Sequence, residues 1–261
     1  MPDIAPSTPN QPYPAGSLHE WKPLFRWAGA ASVLFVLLLI TALVLDFLAP
    51  PPVHGGAETL EFIAANKANY IAEQILWILP NILPVLVFVA LFVALAPGQR
   101  SLALMALVFG ALPWALILAV PVSSRGSLNL IYLSDRYMAA GTEGRNTYAT
   151  AAEALIAENN TPAIVGSLSA FGILLMAIAM TKGPGVLFPR WVAWLGVTTG
   201  ALGVLSEILR HAVPEFYWGY GILLWVWFIA TGIALIRLSL ERTGSRSAGP
   251  ASARGFGPRG H

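Results

Sequence analysis

Glu207, Arg210 and His211 stand three and four residues apart, which on a helix puts them on one side. The carboxylate can then meet the guanidinium at i,i+3 and the imidazole at i,i+4. The residues ahead of them make this group unusual. From Trp191 to Ser206 there are 16 uncharged residues, a rise of about 24 Å against the ~30 Å hydrocarbon core of a bilayer. Glu207 is therefore expected near the edge of the apolar layer, with Arg210 and His211 about one turn beyond. Ionisable groups at that depth face a bundle interior or water and take partners. Asp46, Glu73, Gln74 and Arg125 fall at the ends of other apolar runs on the same side. Convergence of these groups would make an outward-facing polar pocket, able to hold a small polar ligand or a proton. The alternative is a set of solvated helix ends in which Glu207 and Arg210 neutralise one another.

Other chemistries find less support. Asp46, Glu73 or His54 would have to complete a metal site begun by Glu207 and His211, and no H-E-x-x-H pattern occurs. Ser123 and Ser124 beside Arg125, with His211 as base, are candidates for serine chemistry by elimination alone. Neither G-x-S-x-G nor a Walker A sequence is present, and Gly183-Pro184-Gly185 lacks the Lys and Ser/Thr of a phosphate cradle and reads as a turn. The absence of cysteine excludes disulfides, thiolate metal sites and thiol catalysis. No catalytic residue, metal or cofactor is assigned.

The elements that must position these groups follow from composition. Of 261 residues, 56% are hydrophobic and only 11% charged, with mean hydropathy +0.68, whereas soluble domains are about 25% charged. Six apolar runs recur: Ala28 to Leu45, Ile75 to Ala96, Ser101 to about Pro121, Pro162 to Thr181, Trp191 to about Arg210, and Phe216 to Ile236. Each is long enough to cross a bilayer. The fold class expected is all-α, a polytopic membrane bundle of six transmembrane helices with short amphipathic outer helices. Those outer helices are expected at Glu58 to Tyr70, Leu128 to Met138 and Tyr148 to Ile156, where apolar residues are spaced like a helical face. They read as interfacial or packing helices, with a substrate lid as the alternative. Thr161-Pro162 suits the start of the fourth span, Thr as a cap and Pro at the first helical position.

Orientation follows from the cations between spans. With the N-terminus inside, Lys22, Arg26, Arg100, Lys182, Arg190, Arg237, Arg242, Arg246, Arg254 and Arg259 face the cytoplasm, and Lys67, Arg125, Arg136, Arg145 and Arg210 face outward. Ten against five places both termini in the cytoplasm. Trp21, Trp27, Trp191 and Trp194 then fall at the inner boundary and Trp218 at the outer one, as aromatic belts require. The net charge of +2 is accounted for by this asymmetry, and nucleic acid is not an expected partner.

Gly196, Gly200 and Gly203 line one face of the fifth span, and Gly166 with Ala170 a shorter stripe in the fourth. Such faces let a neighbouring backbone approach closely, within one bundle or, alternatively, across an oligomer. Pro80 and Pro84 should bend the second span and Pro113 the third. Asn81, between the first two, can satisfy a carbonyl freed by the bend or face a cavity. Span five has no matching proline, so an inverted repeat is not indicated. Residues 1–24, rich in proline, and 241–261, rich in arginine, glycine and serine, read as disordered cytoplasmic tails around a membrane domain of residues 25–240. The second tail suits anionic inner-leaflet lipid.

The order of features is a first span, an outer segment rich in acids, a proline-broken second span, a long helical outer loop, then Phe188-Pro189-Arg190-Trp191 before a glycine-rich fifth span. It resembles the bacterial integral membrane proteins grouped as domain of unknown function 4386, over about Leu24 to Leu240. The resemblance implies six helices in a bacterial cytoplasmic membrane and supplies no catalytic residues. Three functions stay open: a non-enzymatic bundle whose outer pocket, with Glu73, Arg125, Glu207, Arg210 and His211, binds or passes a small polar ligand or proton; a membrane-embedded hydrolase or transferase acting on lipid, with His211 or Glu207 as base; and a scaffold or assembly subunit joined through the glycine face.

Overall fold

The computed structural model describes residues 18–52, 55–119, 122–123, 126–160, 164–183, 187–213 and 215–240. His54, Ser124, Arg125, Thr161, Pro162, most of the Gly183–Gly185 turn and the tails at 1–17 and 241–261 lie outside the described residues.

Long apolar runs without internal caps become long helices, because every backbone donor and acceptor must be satisfied within the segment when lipid surrounds it. The helices are α1 (Lys22–Leu48), α2 (Gly56–Ala65), α3 (Lys67–Ile78), α4 (Ile82–Ile117), α5 (Asn129–Ala139), α6 (Thr142–Asn160), α7 (Ile164–Lys182), α8 (Arg190–Ile208) and α9 (Glu215–Leu240). Five helical stretches, Lys22–Leu48, Lys67–Ile117, Thr142–Lys182, Arg190–Ile208 and Glu215–Leu240, are long and apolar enough to cross a membrane. Lys67–Ile117 contains two of the expected runs. Its backbone leaves helical geometry at Gln99 (φ −141°, ψ 45°), beside Pro97. Phe88 and Gly110 are in contact across this break, although a straight helix would hold them about 33 Å apart. The helix therefore doubles back, and its two arms correspond to the second and third apolar runs.

The long helices form a closed ring in the order α1, α9, α8, α7, α4 and back to α1. Inside it Phe35, Phe88, Trp227 and Phe228 are fully buried and Trp114 nearly so. Their rings meet edge to face, Phe35 with Phe228 at 4.9 Å, Trp227 with Phe228 at 5.1 Å and Phe35 with Trp114 at 5.4 Å between centroids. On the outside, Leu34, Leu37, Ile40, Val44 and Phe47 of α1 and Ile222, Val226 and Ile233 of α9 are exposed. A contiguous apolar exterior of this kind marks a surface that lipid covers. The protein is a multi-pass membrane protein.

The glycine face packs inside the chain. Gly196 meets Trp227 and Ala177, Gly200 meets the backbone of Leu174, and Gly203 meets Tyr220 and Ala170. These three positions are thus taken up by α7 and α9 of the same molecule. On the opposite side of the ring Gly29 and Gly232 bring α1 and α9 together, and Ser32 Oγ donates to the Phe228 carbonyl at 2.6 Å.

At one end of the ring sits a helical cap with its own core of Leu60, Ile63, Tyr70, Leu130, Tyr137 and Ala152. The helix expected from Glu58 to Tyr70 is divided at Asn66, which ends α2 and precedes α3. The two amphipathic segments of the long loop are α5 and α6. Before them Val122–Ser123 pairs antiparallel with Gly126–Ser127, a hairpin too short to have been legible in the sequence. Tyr70 holds this hairpin by accepting from Ser127 N at 3.1 Å and donating to its carbonyl at 3.2 Å. Ser134 Oγ donates to the Leu60 carbonyl at 2.6 Å, and Lys67 with Asp135 joins α3 to α5 at 2.7 Å. Tyr137 donates to Glu61 Oε1 at 3.0 Å, and that bond, with burial as a lesser cause, pushes the Tyr137 hydroxyl above its ordinary pKa.

Candidate functional site

Leu79–Asn81 forms a 3-10 turn where Pro80 interrupts the ladder between α3 and α4. Asn81 repairs the break. Its amide Nδ2 donates to the carbonyls of Trp77 and Ile78, both at 2.7 Å. The repair fixes the start of α4 and sets Trp77 and Asn81 on the wall of a cavity of about 620 Å³. That volume lies in the range of small-molecule sites, about 300–1,000 Å³.

Leu39 and Leu43 of α1, Trp114 and Ile117 of α4, Gly166 and Ser169 of α7, Glu207 of α8 and Arg210 just after it, and Tyr217, Trp218, Tyr220 and Trp225 of α9 also line it. All of these lie toward the end of the ring opposite to where α1 begins and α9 finishes. Glu158 and Asn159 at the end of α6 and Ser123 of the hairpin bring the cap to its rim. Trp114 is shared with the aromatic cluster, which fills the ring below the cavity.

The wall is largely apolar, with Glu158 at the rim and one buried charged corner. Arg210 Nη1 lies 3.4 Å from Glu207 Oε2, with the two side chains 15% and 5% exposed. The Arg210 guanidinium stacks over Tyr217, 4.6 Å from the ring centroid, a contact worth about 0.5–2 kcal/mol according to its solvation. Gly166 makes room for the carboxylate, since a Cβ there would stand 2.6 Å from Glu207 Oε1. Glu207 at the end of the short fifth span is thus buried and directed into the bundle. The indole N–H groups of Trp77 and Trp114 and Oδ1 of Asn159, all from residues on the wall, have no hydrogen-bond partner among the described residues.

The other expected site residues divide. Glu73 and Gln74 are buried on α3 but do not line the cavity; Gln74 reaches its rim by accepting from Ser123 Oγ at 2.8 Å. Asp46 is buried near the end of α1, outside the lining. His211 is exposed and also outside it, and among the described residues it has no hydrogen bond or ion pair. Trp77, Trp114, Tyr217, Tyr220 and Trp225 were not anticipated. The one signal that could have found the last three is the density of aromatics from Tyr217 to Trp225, greater than a belt position alone explains.

A family model described as a domain of unknown function matches residues 30–240. The chain belongs to the DUF4386 family. The match covers the ring and the cap, and with them the whole of the cavity lining. No curated protein and no solved structure matches this DUF4386 chain.

Proposed function

We propose that this DUF4386 protein is a non-enzymatic, six-crossing protein of a bacterial cytoplasmic membrane, with both termini in the cytoplasm, and that its outward-facing cavity binds a small polar ligand. The observation that carries the reading is the Glu207–Arg210 pair on the wall of a largely apolar chamber formed by five long helices and capped by α6. Charges at that depth are costly, take partners and mark functional sites. Six crossings follow from counting the two arms of α4 separately, and the sidedness from the excess of cations at the opposite end.

Binding is favoured over passage because the chamber is closed below. Phe35, Phe88, Trp227 and Phe228 are each 0% exposed and occupy the ring where a pore or proton path would run. The enzymatic alternative loses one of its two candidate bases, since His211 lies outside the cavity, and the other, Glu207, is on the wall in a pair with Arg210. The scaffold alternative loses its preferred surface to packing within the chain.

The test is thermal melting of purified protein in detergent with a panel of water-soluble amines, amino acids and phosphate esters. A compound present at 100 times its Kd adds about 2.7 kcal/mol and a visible rise in Tm. The expected result is a rise with at least one dipolar compound that Glu207→Gln and Arg210→Ala each remove. Folded variants that match wild type with every compound would refute the pocket.

A further inference from the structure

The occupant of this cavity can be given a chemical class and a route, resting on the reading of the chamber as a binding site. On α9, Trp218, Gly221, Ile222 and Trp225 follow the i, i+3, i+4, i+7 spacing of one stripe, and all four line the cavity. Yet Trp218 is 56% and Ile222 61% exposed on the outside of the ring. The same stripe therefore borders the chamber and the lipid.

The α1–α9 contact explains how. Toward the opposite end the helices touch: a Cβ on Gly29 would stand 2.7 Å from the Gly232 carbonyl, and one on Gly232 2.8 Å from the Gly29 carbonyl. Antiparallel packing carries this register to Leu39 and Leu43 beside the Trp218–Trp225 stripe. There a Cβ on Gly221 would meet no atom within 4 Å. Open space beside Gly221, next to a stripe that is itself partly exposed, is what a sideways opening between the two helices requires.

The charged corner selects what enters. Glu207 and Arg210 offer a carboxylate and a guanidinium a few ångströms apart and nearly neutralise one another. An occupant of single charge would leave one sign uncompensated in a poorly solvated site, which is expensive. An occupant with an ammonium and a phosphate answers both at once, through charge-assisted hydrogen bonds. Glu158, also on the lining, is exposed at the rim, where water screens it. At roughly 30 Å³ per water-sized group, the chamber of about 620 Å³ takes a head group and part of one chain. We propose that the ligand is a zwitterionic phospholipid, admitted from the adjoining leaflet through the α1–α9 slot, with its ammonium at Glu207, its phosphate at Arg210 and a chain along Leu39 and Leu43.

The experiment is native mass spectrometry of the full chain from detergent with lysophosphatidylethanolamine or chain-matched lysophosphatidylglycerol, and calorimetry with water-soluble phosphoethanolamine. Wild type is expected to retain one zwitterionic lysolipid, about tenfold more tightly than the anionic one. Glu207→Gln should erase that preference. Gly221→Leu should retain neither lysolipid while melting at or above the wild-type temperature, because leucine is the better helix former and meets only empty space. Equal retention of both lysolipids by wild type, or unchanged retention by Gly221→Leu, overturns the proposal. Phosphoethanolamine bound without either lysolipid leaves the pocket standing and removes lateral admission; no binding of any of the three, with no compound shifting the melt, removes both.

Discussion

Gly200→Ala adds one carbon at the α7–α8 contact, and its consequence can be worked from geometry. The new Cβ would stand 2.5 Å from Leu174 N and 2.7 Å from its Cα and Cβ. Carbon contacts settle near 3.5–4.0 Å, so the helices must part by about 1 Å, which forfeits roughly a quarter to a half of each contact's well. A buried leucine-sized group makes about 40–60 contacts of about 0.1–0.2 kcal/mol. Losing a quarter to a half of one such set costs about 2–4 kcal/mol, and the better helix propensity of alanine returns about 1 kcal/mol. The expected net loss is about 1–3 kcal/mol. Gly221→Ala supplies the opposite case, because nothing lies within 4 Å of its new Cβ. Only propensity acts there, and stability should rise by about 0.5–1 kcal/mol. The assay is reversible unfolding in mixed micelles titrated with SDS, followed by far-UV circular dichroism. A Gly200→Ala protein as stable as wild type, or equal losses at the two glycines, would refute the packing argument. A changed oligomeric mass with an unaltered unfolding midpoint would return the glycine face to the scaffold reading.

Asn81→Leu leaves the carbonyls of Trp77 and Ile78 without their 2.7 Å donor. Each buried unsatisfied group costs about 1–3 kcal/mol, although the average measured within membranes is about 0.6 kcal/mol. The same titration should show a loss of about 1–2 kcal/mol, and a variant indistinguishable from wild type would mean that water or a rearranged turn satisfies both oxygens. For sidedness, a fluorescent protein fused after His261 should mature and alkaline phosphatase at the same place should stay inactive; the reverse pattern would invert the assignment and turn the cavity toward the cytoplasm.

The spans were legible because lipid imposes a local rule: about 20 consecutive apolar residues, whatever they later touch. Glu207 stood out for the same reason, as a charge that arrived too early along a helix of fixed rise. Trp77 and Trp114 carried no comparable signal, since a tryptophan within an apolar run looks the same whether it faces lipid, core or cavity. His211 and Glu207 share a helical side in projection, yet α8 ends at Ile208 and the chain turns, so one stays exposed while the other is buried. Periodicity could not reveal that the helix stops between them.

What the amino-acid order determined by itself is the medium and the elements: a helical chain that resides in a bilayer, bends at Pro80, separates two apolar runs between Ala96 and Ser101, and carries small residues where helices must approach. The tertiary structure alone decided which charges share a chamber, which aromatics lie below it, and that open space is left beside Gly221. The physical reason is range. Burial in lipid and hydrogen bonding within a helix act over a few neighbouring residues, whereas a cavity is a gap among six or more segments distant in the chain, defined by where their side chains fail to meet.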